Sequence, residues 1–320
     1  MFIILFFILF LCMMTCFGYM LPPIMDAIKI QKELYRDAYL FDTTTHAMMK
    51  CIAEKDENKD ENCSKFHLLY MPMRNRMEII RLILEEAEIS YDFEVVGFKP
   101  WEESIKFTTI HGKCPVLRNY DARGNDLAQE GAITRYLAEK CNLAGSTLEE
   151  KAAIDSLYCF WFSTFRNNGL SHDGDHFSIA SLKNHPPLEA SEIPIYTDTF
   201  RINNLSKTER SLMALGFFEN ILKKQSLLKS DYLVTSNRPS YVDLGLFYIL
   251  LEMSEIDNIP DFSKRFDLPF LGKFLVHMSN RKQIKRYINS PTRMPRYARD
   301  EKSGTSTYIF VPGIGSPRYT

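Results

Sequence analysis

The order of apolar patterns between residues 66 and 140 limits the fold more than any other property of the chain. Short apolar runs, which are typical of buried strands, lie at 66–70, 90–96, 114–117 and near Leu127. Apolar residues at helical spacing lie between the first two runs, at 79–87, and after the last one, at 130–140. The order is therefore strand, helix, strand, hairpin and helix. It predicts a small open sheet with helices packed against it.

Beyond a short linker at residues 141–146, the periodicity is that of helices alone. The predicted helices cover 147–165, 207–224, 244–251 and about 269–289. Ser240 followed by Asp243 is the pattern of a capping box before the third of these helices. Residues 166–206 lose the periodicity, and so long a connection predicts an insertion beside or over a cleft. The sequence thus predicts an all-helical domain at 147–290 that contains an insertion.

The charge balance and the cysteines exclude several classes of protein. The chain has 39 basic and 40 acidic residues, which argues against a nucleic-acid-binding protein. Its seven cysteines include no Cys-x-x-Cys pair, so free thiols in a reducing compartment are predicted. The acidic stretch at 56–62 and the motif from His172 to His176 are interpreted as a solvated linker and a polar turn. No metal site is therefore predicted. Basic residues of the last helices are interpreted as a solvated face: Lys273, Arg281, Lys282, Lys285 and Arg286.

Residues 2–22 carry no charged side chain and are long enough to cross a bilayer as a helix. Three interpretations remain open: a single membrane anchor, a secretory signal peptide, or a start that is misread or not expressed. The nearest positive charges lie downstream, between residues 29 and 36, which favours a body on the cytoplasmic face. We therefore predict a cytoplasmic protein, with or without an anchor, rather than a secreted one. Residues 23–65 are interpreted as a partly helical spacer and residues 291–320 as a tail.

Four motifs, in this order, resemble the cytosolic glutathione transferases, and in particular their sigma and pi classes. They are FHLLYMPMRNRMEIIRLIL from Phe66, HGKCPVL from His111, LAQEGAITRYLAEK from Leu127 and STLEEKAAIDSL from Ser146. The resemblance covers about residues 66–290. It implies an α/β thioredoxin-like domain at 66–140 that binds glutathione, followed by the all-α domain. It also implies a homodimer.

The resemblance gives Tyr70, at the end of the first strand, the role of the catalytic tyrosine. The thiol of glutathione is mostly protonated at neutral pH, whereas the thiolate is the attacking species. A phenol that donates a hydrogen bond to the sulfur would stabilise that thiolate. Arg76 matches a basic position of the family and would favour negative charge around the sulfur. Without the resemblance, the pattern alone would favour a core or interface tyrosine at position 70.

The resemblance also implies how glutathione is held. Pro115 would follow a cis peptide bond and present the backbone of Cys114 to the cysteinyl part of glutathione, like an added strand. Asp155 matches an acidic residue that reaches the γ-glutamyl amine across a dimer interface. Trp101, Lys106 and Lys113 match positions that hold the glycyl carboxylate. The predicted binding set is completed by Gln129 and Glu130.

Two residues depart from the pattern of the family. Glu130 stands where a serine or threonine hydroxyl, together with a helix N-terminus, holds the γ-glutamyl carboxylate. Two like charges about 4 Å apart repel by roughly 1 kcal/mol in water and more in a dry cleft. Either Glu130 turns away and its N–H alone binds, or glutathione affinity is low, or the site has another use. Asn75 replaces the usual glycine of the turn, which is a milder change because asparagine tolerates unusual backbone angles.

An apolar electrophile pocket is predicted between the two domains. Its predicted lining is Met71, Met73, Tyr158, Trp161 and Phe162, each of which could instead be an ordinary core residue. The predicted function is conjugation of glutathione, a cosubstrate, to an apolar electrophile in detoxification. Two alternatives stay open. One is a non-catalytic relative with a binding or structural role, which Glu130 and the insertion favour, and the other is a glutathione-dependent isomerase.

Overall fold

The computed structural model of the protein describes residues 44–51, 66–165, 182–183, 185–189, 192–193, 207–255, 258–290 and 292–294. The uncharged run at 2–22, the acidic stretch at 56–62 and the His172–His176 motif lie outside these residues. Within the described ranges, no helix is long and apolar enough to span a bilayer. In the same ranges, no group of three or more His, Cys, Asp or Glu side chains is arranged to hold a metal ion.

The described residues form a five-stranded sheet in the order β1-β3-β2-β4-β5. The strands are β1 (His46–Cys51), β2 (Phe66–Tyr70), β3 (Tyr91–Val96), β4 (Val116–Arg118) and β5 (Leu127–Ala128). β2 and β3 run parallel, and the other neighbours are antiparallel. β2 to β5 lie where the apolar runs predict them, and most of their residues are buried.

Strand β1 is an element that the sequence analysis does not predict. It lies within the interval interpreted as a partly helical spacer, yet it pairs with β3 along its whole length. His46 Nε2 lies 2.8 Å from one carboxylate oxygen of Glu94, and His67 Nε2 lies 2.9 Å from the other. Only Cys51 of the six residues of β1 is buried. An edge strand with so little buried surface leaves no apolar alternation to detect.

Three helices belong to the sheet domain: α1 (Asn75–Glu86), α2 (Phe98–Glu103) and α3 (Glu130–Lys140). Two 3₁₀ turns, Ile105–Thr108 and Ile110–Gly112, connect α2 to β4. α1 packs against α3 and also against the helical domain. It is therefore buried on almost every side, and ten of its twelve residues are buried. This position explains why charged residues of α1 find their partners inside the protein rather than in water.

The helical domain consists of α4 (Leu148–Phe165), α5 (Lys207–Leu227), α6 (Tyr241–Met253), α7 (Phe262–Arg265), α8 (Pro269–Ser279) and α9 (Lys282–Ile288). The predicted helices are confirmed, with shifts of a few residues at their ends, and the last helices, predicted at about 269–289, are α8 and α9. α6 is the central helix, because it packs against α1, α4 and α8. All but one of its thirteen residues are buried.

The capping box at the start of α6 is confirmed. The Ser240 backbone N–H donates to Asp243 Oδ2 at 2.8 Å, and the Leu233 N–H donates to Asp243 Oδ1 at 2.8 Å. The Ser240 hydroxyl donates to the same carboxylate at 2.6 Å. Burial raises the pKa of Asp243, although these hydrogen bonds oppose the shift. The carboxylate therefore fixes both the start of the central helix and the loop before it.

Replacing Asp243 with alanine is expected to lower the free energy of unfolding by about 1–3 kcal/mol, because it leaves two buried N–H donors without an acceptor. Urea unfolding of the full chain would measure the change. Asp261→Ala is the matched control, since Asp261 is exposed and pairs with the partly exposed Arg265. Equal unfolding midpoints for the two variants would show that the capping box adds no stability.

Short segments of the predicted insertion at 166–206 pack against α7. The Leu188 N–H donates to the carbonyl of Arg265 at 2.9 Å, and the Arg265 guanidinium donates to the carbonyl of Lys183 at 3.1 Å. Leu182 and Ile193 are also buried, and Ile193 lies against Gly216 of α5. These described parts of the insertion therefore add to the packing of the helical domain. The rest of the insertion lies outside the described residues, so its place beside a cleft stays a prediction.

Candidate functional site

Tyr70 ends β2 at the point where the chain turns into α1, and its side chain is buried. Its hydroxyl oxygen accepts the backbone N–H of Arg76 at 3.4 Å. Backbone N–H groups at the start of a helix carry partial positive charge. This donor draws electron density toward the phenol oxygen, and a phenol polarised in this way is a better hydrogen-bond donor. The catalytic role that the resemblance implies for Tyr70 stays a prediction.

Glu130 does not turn away from the site. The residue is only 2% exposed at the start of α3, and its Oε2 lies 3.4 Å from Arg76 Nη1. The first of the three alternatives, in which the side chain swings out, is therefore wrong for this structure. Arg76, which was expected to favour negative charge at the site, and Glu130, which was expected to repel a carboxylate there, form an ion pair with each other. The positive charge of Arg76 is consequently shared with a carboxylate of the protein itself.

The two turns that flank this ion pair hold unusual backbone angles. Asn75, which begins α1, has φ of 33°, and Gln129, which precedes α3, has φ of 79°. Positive φ is unfavourable for most residues with a side chain, and asparagine is among the exceptions. Asn75 therefore holds a backbone angle that asparagine tolerates better than most residues. Gln129 is exposed, as a residue that contacts a ligand would be.

The Cys114–Pro115 peptide bond is cis, as the resemblance implies. Cys114 is partly exposed as a residue, and burial raises the pKa of its thiol to about 12, although Arg76 and Lys113 oppose this shift. The thiol is therefore protonated at neutral pH and is a poor nucleophile. This result supports the expectation that Cys114 contributes backbone groups rather than a thiolate.

The three residues predicted to hold the glycyl carboxylate differ in their surroundings. Trp101 is buried on α2. Lys106 forms an ion pair with Glu102 at 3.2 Å on the surface. Lys113 is exposed and lies close enough to Cys114 to influence its thiol. The structure therefore groups Lys113 with Cys114 and Arg76, whereas Lys106 already has an anionic partner.

Asp155 is bound within its own chain. Arg135 Nε donates to its Oδ1 at 2.6 Å, and the Tyr241 hydroxyl donates to the same oxygen at 2.8 Å. Burial alone would raise the pKa of Asp155, but the bonds from Arg135 and Tyr241 lower it below the usual value. The side chain is 44% exposed, so it also faces solvent. Contact with a ligand of a second subunit stays a prediction.

The aromatic residues of the predicted electrophile pocket belong to the packed core. Tyr158 and Trp161 are 1% and 0% exposed and stack with ring centroids 5.4 Å apart. Met71 and Met73 are also buried, and Phe162 is partly buried against the same core. An open cavity of about 590 Å³ lies elsewhere, with a lining that includes His67, Ile110, Arg118 and Asp126. None of the five predicted residues lines this cavity.

Arg74 is a residue of the site region that the sequence analysis misses. It is 3% exposed and lies in the loop between Tyr70 and α1. Its guanidinium is bound by Glu255 and lies 3.8 Å from Glu252, both at the end of α6. Burial would lower the pKa of Arg74, but these carboxylates raise it well above the usual value. The two arginines on either side of Asn75 are a sequence signal for a functional turn. Glu252 and Glu255, the partners of Arg74, lie 178 and 181 residues further along the chain and could not be identified from the sequence.

Comparison with known proteins gives the same fold. Residues 199–291 match the family model of the glutathione S-transferase C-terminal domain. A crystal structure of a Nu-class GST from Haemonchus contortus superposes with a TM-score of 0.53 at 21% identity, over 72% of this chain and 98% of that one. The monomeric Na-GST-3 of Necator americanus gives a TM-score of 0.51 at 24% identity, over 70% and 95%.

Curated relatives agree with the structures. The probable glutathione S-transferase 6 of Caenorhabditis elegans is 36% identical over 222 residues, which is 69% of this chain and 90% of that protein. Glutathione S-transferase 4 of the same organism is 33% identical over 120 residues, and this alignment covers only 56% of that relative. Hematopoietic prostaglandin D synthase of Rattus norvegicus is 39% identical over 92 residues, 29% of this chain and 44% of that protein.

Proposed function

This chain belongs to the glutathione S-transferase family of enzymes, and we propose that it conjugates glutathione to apolar electrophiles, with Tyr70 stabilising the attacking thiolate. The observation that carries the proposal is the placement of the Tyr70 hydroxyl over the start of α1. Its oxygen accepts the Arg76 N–H at 3.4 Å. The phenol therefore lies at a helix N-terminus, which is a favourable place for developing negative charge.

The proposed reaction proceeds in two steps. On binding, the thiol of glutathione releases its proton to water, and the Tyr70 O–H donates a hydrogen bond to the resulting thiolate. The sulfur lone pair then attacks the electrophilic carbon. A carbon–sulfur bond forms, and the leaving group departs with the electron pair of the broken bond. The phenol carries no full charge, so it stabilises the thiolate without making the sulfur unreactive.

Binding would use the groups beside the cis peptide bond. We propose that the backbone of Cys114 pairs with the cysteinyl part of glutathione and that Lys113 attracts its glycyl carboxylate. The protonated Cys114 thiol would not compete with the thiol of the substrate for electrophiles. Glu130 would oppose the γ-glutamyl carboxylate, so we propose that glutathione binds weakly for an enzyme of this family.

Two measurements on the full chain test the proposal together. We expect the protein to be retained on immobilised glutathione, to be eluted by free glutathione, and to conjugate glutathione to a chlorodinitrobenzene. Retention without turnover would favour the non-catalytic alternative. Neither retention nor turnover, in a protein that unfolds cooperatively on heating, would overturn the proposed function.

A glutathione-dependent isomerase is the second candidate. The observation in its favour is the 39% identity over 92 residues to a prostaglandin D synthase. The two activities differ in their products, because an isomerase releases glutathione unchanged whereas conjugation consumes it. Free thiol measured before and after complete turnover of the electrophile therefore separates them.

We further propose a cytoplasmic homodimer. Phe107, on the 3₁₀ turn that follows α2, is 78% exposed, as an apolar residue at an interface between subunits would be in one isolated chain. The mass in solution would test the assembly. Anchoring through residues 2–22 would place the protein in the membrane fraction of expressing cells, and a soluble full-length chain would contradict it.

A further inference from the structure

Three glutamates of α1 are paired with three arginines from the last part of the chain. The pairs are Glu78 with Arg293, Glu85 with Arg286 and Glu86 with Arg281. The sequence analysis interprets Arg281 and Arg286 as part of a solvated face, and this interpretation is wrong for both. It also treats the chain beyond residue 290 as a tail, whereas residues 292–294 pack against α1.

Glu78 is the most enclosed of the three glutamates. It is 0% exposed, in the first turn of α1. Its Oε1 accepts Arg293 Nε at 2.9 Å, and its Oε2 accepts the Tyr287 hydroxyl at 2.8 Å. A buried carboxylate without a cationic partner is strongly unfavourable. Arg293 therefore offsets the cost of burying the negative charge of Glu78.

Two further contacts hold the segment around Arg293 in place. Arg81 Nη2 donates to the carbonyl of Thr292 at 2.7 Å, and Met294 is only 4% exposed. The segment is thus bound on both sides of Arg293. Among the described residues, the charged and titratable side chains that interact with Glu78 include Arg74, Arg81, Tyr287 and Arg293.

The first turn of α1 connects this pair to the candidate site. Glu78 lies two residues beyond Arg76, whose N–H is donated to the Tyr70 oxygen. It also attracts Arg74, which lies in the loop after Tyr70. If Glu78 lost Arg293, its negative charge would compete with Glu255 for Arg74, in the loop after Tyr70, and would disfavour a further negative charge on a sulfur bound beside Tyr70.

We propose that Arg293 is a positioning residue of the enzyme: by neutralising Glu78 in the first turn of α1, it keeps the surroundings of Tyr70 favourable for a bound thiolate. The segment at residues 292–294 then supports the catalytic site. This inference rests on the proposed function, because the measured quantity is the pKa of the thiol of bound glutathione.

The test is a pH titration of the ultraviolet absorbance of the thiolate in the full chain saturated with glutathione. In Arg293→Met, the apparent pKa of the bound thiol is expected to rise by about one unit, the effect of one nearby charge. Arg293→Lys should restore most of the parent value. Arg281→Met is the matched control, because its partner Glu86 lies at the far end of α1, and it should titrate like the parent.

A second variant separates charge from packing. Arg293→Met combined with Glu78→Gln has no unpaired carboxylate, so its thiol pKa should return toward the parent value. A single variant that titrates like the parent would overturn the inference, as would a double variant that stays shifted. If Arg293→Met does not fold, the double variant is compared with Glu78→Gln alone, and a difference between their titrations would likewise overturn it. A parent without any thiolate signal would instead contradict the proposed function.

Discussion

Replacing Tyr70 with phenylalanine is expected to lower the turnover number for conjugation by about a hundredfold, which is typical for the loss of one oriented hydrogen-bond donor at a developing charge. The glutathione KM should change by less than about twofold, because the hydroxyl acts on the thiolate rather than on the rest of the peptide. Steady-state kinetics with a chlorodinitrobenzene at saturating electrophile would measure both constants.

The matched control for this variant is Tyr136→Phe. Tyr136 lies on α3, and its hydroxyl donates to the carbonyl of Tyr120 at 2.9 Å. The substitution removes one hydroxyl from the same domain and leaves the contacts at the start of α1 unchanged. Turnover in this control should equal that of the parent. If Tyr70→Phe keeps the turnover number of the parent, the phenol does not activate the sulfur.

Replacing Glu130 with serine is expected to lower the dissociation constant for glutathione by about tenfold. The substitution removes a buried negative charge from the start of α3, where like-charge repulsion is worth about 1–4 kcal/mol at 4 Å. It also releases Arg76, which lies 3.4 Å from Glu130 and can then attract a ligand carboxylate. Isothermal titration with glutathione would measure the change.

Two further variants define the origin of that effect. Glu130→Gln removes the charge and keeps the size, so it should account for most of the gain if repulsion is the cause. Glu139→Ser changes an exposed glutamate of the same helix that pairs with Lys151 at 2.9 Å, and glutathione affinity should not respond. Affinity in Glu130→Ser no better than in the parent would rule out the repulsion as an explanation.

Sequence reasoning succeeded where the relevant interactions are local. The strand of residues 66–70, the helix after it and the capping box of Ser240 and Asp243 depend on neighbours a few positions apart. For such features, periodicity and motif spacing carry the information directly. The cis bond before Pro115 is also confirmed, but it was expected from the resemblance to the family rather than from the residues themselves.

It failed where a side chain depends on a distant partner. From the sequence, Arg281 and Arg286 were interpreted as solvated surface residues, because the glutamates that bind them lie about 200 residues earlier in the chain. Tyr158 and Trp161 were predicted to line a pocket, with ordinary core as the alternative, and both are buried. Tyr158 packs against the ring of Tyr241 on α6, far along the chain. Strand β1 was missed because its stability comes from pairing with β3 rather than from its own apolar pattern.

The sequence by itself determined the family, the two-domain order and the place of Tyr70 at the end of a strand, since each follows from patterns within single segments. Only the tertiary structure decided that Glu130 stays buried against Arg76 and that Arg293 neutralises Glu78. The reason is physical: whether a charge is solvated or paired depends on what the fold brings within a few ångströms, and sequence separation does not limit that.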